Sequence, residues 1–358
     1  MKKESKTKEK NVIPYTKLNS KQTKNGKFST KIQFWYDSVK EAKDCMELLN
    51  ESRSEKKDHV MEIFENSLQF SKHKTGYRNG KYWQIENITR MSTFDDIIRS
   101  SVQIIEVIKW QHQDFIISYD GIPKLTIETT EHQITWNNVA QRMPRLIQSV
   151  NCGTPTIIFQ RIGERTTEQN LGWYLQTLVN ATNIYKIPCV GILFDDNSRD
   201  EAEKKLSNIM IELLDYLSTN NQESRKKFEE LLWEVHKENK EKAEKFYKSD
   251  KLLRSGWLEI TDKEVKVIPG VKPSATMWKT KGTGGLDPYP GLVVMADILL
   301  CRTGPSKNDR RKSLTVKFRH IKEDFWWFKK YPTELYLQML IDPEYRISDT
   351  VEYLEEDD

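Results

Sequence analysis

The chain has 358 residues, 37% of them hydrophobic, which is enough to bury a core and to build two or three structural units or one elaborated domain. Charged residues make up 31%, the formal net charge is +4 and the pI is about 8.6, a mildly basic balance that permits a polyanionic partner without demanding one. Cys45, Cys152, Cys189 and Cys301 are scattered without CxxC spacing, and no apolar run approaches the roughly eighteen residues of a membrane span. These features argue against a disulfide framework, a zinc knuckle and an integral membrane protein. With no apolar stretch behind MKKESKTKEK to make a signal peptide, a soluble protein in a reducing cytoplasm is expected.

Residues 1–28 are rich in Lys, Ser, Thr and Asn, and read as a disordered basic arm. Residues 29–92 are expected to form a helical N-terminal region. Ala42, Met46 and Leu49 lie at helical spacing, and Val60, Ile63, Phe64 and Leu68 repeat it beyond the charged link ESRSEKKD. The loop KTGYRNGKYW then mixes cations with aromatic rings and glycines, a composition that suits either a surface turn or a phosphate grip. Thr93 is a candidate N-cap, with Asp95 and Asp96 in the first turn of a helix that buries Ile97, Ile98, Val102, Ile105 and Ile108.

The stretch QHQDFIISYDGIPKLTIETTE, residues 111–131, predicts two strands joined by a DGIP turn. It is followed by a helix in WNNVAQRMPRLIQSV, a strand in TPTIIFQRI, a helix in LGWYLQTLVNATNIY and a strand in PCVGILFD. The later strands are continuous apolar runs, as expected where helices cover both faces of a sheet. Residues 93–200 therefore predict an α/β core. Residues 201–358 begin with two long charged helices, the second with an apolar stripe of Phe228, Leu231, Leu232 and Val235. WLEITDKEVKVI reads as a hairpin, KTKGTGGLDPYPG as a loop and VVMADILLCR as a strand. The basic run around Arg310 and the aromatic FWWFKKY follow, and EYLEEDD closes the chain.

A tight hairpin sets its two ends side by side, so Asp114 at the start of the first strand meets Glu128 near the end of the second. Two converging carboxylates suit a hard cation. Asp120 lies in the turn, at the opposite end. Asp114, thirteen intervening residues and then Glu128-Thr129-Thr130 resemble the motif of the PD-(D/E)XK nuclease superfamily, which includes most Type II restriction endonucleases. The order helix, strand meander, helix, strand resembles that family's core.

The resemblance implies an α/β fold with a restriction-endonuclease-like core, in which a mixed central sheet is flanked by helices. To that core this chain adds a helical N-terminal region and mixed α+β C-terminal additions. It implies Mg²⁺ held by Asp114, Glu128 and the backbone carbonyl of Thr129, and sequence-specific hydrolysis of double-stranded DNA. It also implies a homodimer and a cognate DNA methyltransferase. Such an ion activates water and neutralises charge on the phosphate.

Two positions depart from the motif. Gln113 stands where the family has proline, and Thr130 stands where it has the lysine that supports the attacking water. A threonine hydroxyl can hydrogen-bond that water but brings no charge. Candidates to fill the role are His132, Gln141 and Arg142, with Arg145 on the same helical face as a phosphate contact. Glu106 on the preceding helix is a possible further ligand, and Gln160, Arg161 and Glu164 lie beyond the next strand. A DNA-recognition surface is expected from Lys279, Lys281, Arg302, Arg310, Arg311 and Lys312, with Lys317 and Arg319 alongside. Asp287, Phe325, Trp326 and Trp327 read as capping or core residues. A sequence-specific DNA-binding protein with a decayed core, and a structure-selective repair or RNA nuclease, are the competing readings.

Overall fold

The computed structural model describes residues 32–36, 48–49, 56, 88–90, 102–108, 110, 113–249, 258–268, 288–318 and 348–353. The predicted helices of 38–72, the loop of 74–83 and the N-cap at Thr93 fall largely or wholly outside these residues. So do Lys279, Lys281, Asp287, Arg319 and the FWWFKKY run.

The centre is a six-stranded mixed sheet in the order β2-β1-β3-β4-β5-β6. Its strands are β1 (Ile32–Tyr36), β2 (Ile88–Arg90), β3 (Phe115–Tyr119), β4 (Ile122–Thr130), β5 (Thr156–Arg161) and β6 (Cys189–Phe194). The pairs β1/β3 and β3/β4 are antiparallel, whereas β1/β2, β4/β5 and β5/β6 are parallel. The mixed α/β core is thus as expected, but its boundary is wider. IQFWY and ITR, from a region expected to be helical, are strands of the same sheet. Ile32 and Phe34 pack on one face and Trp35 on the other, as in a strand, and the helical periodicity of the region lies further along, at residues 42–68.

The β3–β4 turn is tighter than DGIP. Asp120 and Gly121 both have positive φ, 51° and 76°, and Ile122 already pairs with Tyr119. Asp-Gly in this two-residue turn matches the twist of the flanking strands.

Helices cover both faces. On one lie α1 (Val102–Ile108), α2 (Trp136–Asn151) and α3 (Glu168–Tyr185); on the other lies α4 (Arg199–Thr219), and α5 (Gln222–Phe246) runs along the β6 edge between α4 and α3. Alternation along the strands assigns the faces. Ile157 and Phe159 of β5 pack with Leu206, Met210 and Phe228, whereas Ile158 packs with Met143, Leu146 and Tyr174. The corner between α4 and α5 is two asparagines. Asn220 ends α4 in the left-handed region at φ 57°, and Asn221 caps α5 by accepting from the Glu223 and Ser224 amides. The charged helices are therefore integral layers of the core. Asn239 of α5 also closes the outer edge of the sheet: its amide accepts from Gly191 N at 2.7 Å and donates to Gly191 O at 2.8 Å.

A second, four-stranded sheet, β10-β9-β8-β7, is built from β7 (Leu258–Ile260), β8 (Glu264–Val267), β9 (Ser313–Phe318) and β10 (Thr350–Tyr353). The expected β7–β8 hairpin forms. VVMADILLCR, expected as a strand, instead lies in α6 (Pro288–Ala296) and a π-helical turn, Asp297–Cys301. Apart from Asp297 and Arg302 the segment is apolar and buried between α2 and the second sheet, so no alternation marks it as either form. α6 meets α2 at Gly291, where a Cβ would overlap the Ala140 carbonyl. Pro144, inside α2, has no N–H to offer that carbonyl, so the close approach falls at the interrupted turn of the helix.

Candidate active site

β4 turns Thr126, Glu128 and Thr130 toward α2, and Leu125 and Ile127 toward α4 and α5. A polar stripe thus runs under α2, with Glu128 1% exposed. Asp114 immediately precedes β3, where Phe115 pairs with Ile127, so the hairpin register sets it beside the end of β4. Its Oδ2 accepts from Thr129 N at 2.7 Å and Thr129 Oγ1 at 3.0 Å. The expected meeting of Asp114 and Glu128 is present.

Arg145 joins them. Its Nη1 lies 2.7 Å from both Glu128 carboxylate oxygens and 3.5 Å from Asp114 Oδ1. One turn earlier on α2, Arg142 approaches Glu128 Oε1 with Nε at 3.2 Å and donates from Nη1 to Asn138 O at 2.8 Å. Two carboxyl groups and two guanidiniums therefore form one cluster. Arg145, expected to grip DNA phosphate, is instead part of the acidic centre. Burial pushes the Glu128 carboxyl up to about 8, against the pull of Arg145 and Arg142, and Asp114 adds to the rise. Burial likewise lowers Arg142.

Gln113 places this cluster. Its amide Nε2 donates to the Arg145 carbonyl and Ser149 Oγ, each at 2.9 Å, and lies 3.2 Å from Val107 O on α1. It thus ties the start of β3 to the turn of α2 that carries Arg145. Sequence reasoning missed this role, since a glutamine before an acid has no spacing signature.

The other candidates divide. Thr130 is buried on the Glu128 face and accepts from His132 N at 3.2 Å. His132 is exposed, and it is tied in through its backbone, whose carbonyl accepts from Gln160 Nε2. Gln160 pairs in register with Thr130 and is fully buried, and its Oε1 accepts no hydrogen bond among the described residues. Gln141 is half-buried on α2 and makes no hydrogen bond to the acids among the described residues. Glu106 is exposed on α1, Asp120 sits at the far turn, and Glu164 is exposed. Arg161 pairs with Asp196 at 2.8 Å near the surface.

The expected DNA-reading arginines are largely committed elsewhere. Asp297 binds Arg302 and Arg310, each at 2.8 Å, and Arg310 also holds Asp349 at 2.9 Å. The two guanidinium side chains are 9% and 5% exposed. They lock the π turn to the second sheet, because buried cations are held by paired carboxylates. Lys317 pairs with Glu352 at 2.7 Å. Arg311 is exposed and Lys312 half-exposed.

The acidic pair offers hard oxygen donors of the type a divalent ion takes, and the space between the two carboxylates already accepts a cationic group. The residues present fit such an ion. Among the described residues no group of three or more acids, histidines or cysteines is arranged to hold a metal. No helix among the described residues is long and apolar enough to cross a membrane. Compared with known proteins, the chain matches no family model, no curated protein and no solved structure.

Proposed function

We propose that the protein is a Mg²⁺-dependent, sequence-specific DNA endonuclease of the PD-(D/E)XK type, cutting phosphodiester bonds in double-stranded DNA. The observation that carries this reading is the convergence of Asp114 and Glu128 at adjacent strand ends, with two arginines of one helix upon them. Asp114 and Glu128 hold the ion, and the Thr129 amide and hydroxyl fix the orientation of Asp114. The ion, when bound, supplies activated water and neutralises charge on the phosphate. Arg142 provides the fixed positive charge that Thr130 lacks, since its anchor on Asn138 O keeps it beside Glu128. Positioning and electrostatics of this kind supply most of the acceleration for so unreactive a bond. A homodimer matches a palindromic site by symmetry, and a partner methyltransferase protects the same sequence in host DNA.

A specific observation favours a second reading, a DNA-binding protein whose core has lost catalysis. The Arg145 guanidinium already contacts both carboxyl groups, and Thr130 is not a cation. Incubating the protein with plasmid DNA and Mg²⁺ separates the two. Discrete fragments support the endonuclease; sequence-specific binding without cleavage supports the decayed core.

A further inference from the structure

We propose that Arg145 is the gate of the acidic pair: its guanidinium takes the place between Asp114 and Glu128 that a divalent ion needs, and must leave for the ion to enter. The inference rests on the metal-site reading above and concerns what opposes binding there.

Three features single out Arg145. Its Nη1 alone among the described cations reaches both acids, at 2.7 Å and 3.5 Å, whereas Arg142 touches Glu128 only. Its carbonyl is pinned by Gln113 Nε2 and Ser149 Oγ, both at 2.9 Å, so opening the site needs a side-chain rotation and no movement of the helix. Its side chain is 16% exposed while that of Glu128 is 1% exposed, so Arg145 is the more solvent-accessible member of the pair. A guanidinium and a divalent ion cannot share this space, because like charges a few ångströms apart in a buried setting repel strongly. Arg142, anchored to Asn138 O, stays in place in either state.

The test is calorimetric titration of Mn²⁺, at one pH and without DNA, into the wild type, Arg145→Gln and Arg142→Gln. Arg145→Gln is expected to bind Mn²⁺ about tenfold or more tightly than the wild type, the loss of a charge-assisted competitor. Arg142→Gln should gain clearly less, and adding Glu128→Gln to Arg145→Gln should remove the binding. Arg145→Lys keeps the charge but loses the fork, and should fall between the wild type and Arg145→Gln. It carries the comparison if the Gln variant does not fold. Equal Glu128-dependent affinities in the wild type and Arg145→Gln overturn the gate and leave the metal-site reading standing. Equal gains in Arg142→Gln and Arg145→Gln also overturn it, because general repulsion then explains both. No Glu128-dependent binding in any variant overturns the gate and the metal-site reading together.

Discussion

Replacing Glu128 with Gln should stabilise the protein progressively as pH rises. Burial raises the Glu128 carboxyl to about 8 in the fold, against 4.5 when free. A raised carboxyl favours folding while it is protonated. Its contribution is fully present below the unfolded value and is lost as pH rises through the folded one. Between about pH 5.5 and about pH 9 those two values give a loss of about 3 kcal/mol from this one group. Glutamine does not titrate, so the variant lacks that loss. Its weaker hold on Arg145 and Arg142 adds an offset that does not change with pH to first order. Urea unfolding of both proteins at the two pH values measures the difference, and other titrating groups cancel in the comparison. The stability difference should move by about 3 kcal/mol in favour of Gln at the higher pH. A difference that stays constant, or moves the other way, would mean that the two arginines hold Glu128 ionised throughout, and the burial argument would be refuted.

Other outcomes follow from packing and pairing. Asp297→Ala leaves Arg302 without its buried carboxylate and takes one of two paired carboxylates from Arg310, so denaturant unfolding should show a loss of about 3–5 kcal/mol. Asp196→Ala, breaking an exposed pair with Arg161, should change stability by less than about 1 kcal/mol in the same assay. Gly291→Ala forces a methyl group against the Ala140 carbonyl and should lower stability by about 1–3 kcal/mol or more; no change would show that α6 and α2 can separate freely. Asn239→Ala uncovers the Gly191 amide and carbonyl at a buried edge, at about 1–3 kcal/mol, with faster hydrogen exchange of Gly191 as its local signature.

The legible part of the fold was the part with a period. The β3–β4 hairpin was marked by Asp-Gly and alternation, α3 to α5 by long apolar stripes, and β5 and β6 by apolar runs. Convergence of Asp114 and Glu128 followed from hairpin geometry alone. What escaped lacked a local signal. β1 and β2 are short strands whose partners lie far along the chain. The π turn after α6 is apolar apart from Asp297 and shows no alternation, so its pattern fits strand and helix equally. Arg302 and Arg310 look like any basic cluster until Asp297 and Asp349 are folded against them. Arg145 lay on the face expected to reach phosphate. Its contact with Glu128 depends on how far α2 sits from the sheet, which Gln113 sets through side-chain amide hydrogen bonds that no spacing announces.

The central claim is that Asp114 and Glu128 form a catalytic pair, and plasmid cleavage with Mg²⁺ by the wild type beside Asp114→Asn tests it most directly. Asparagine keeps the shape and can still accept from the Thr129 amide and hydroxyl, so circular dichroism should be unchanged while the charge is lost. The account predicts discrete fragments from the wild type and cleavage at background from the variant. Fragments from both at similar rates would place the chemistry elsewhere in the chain.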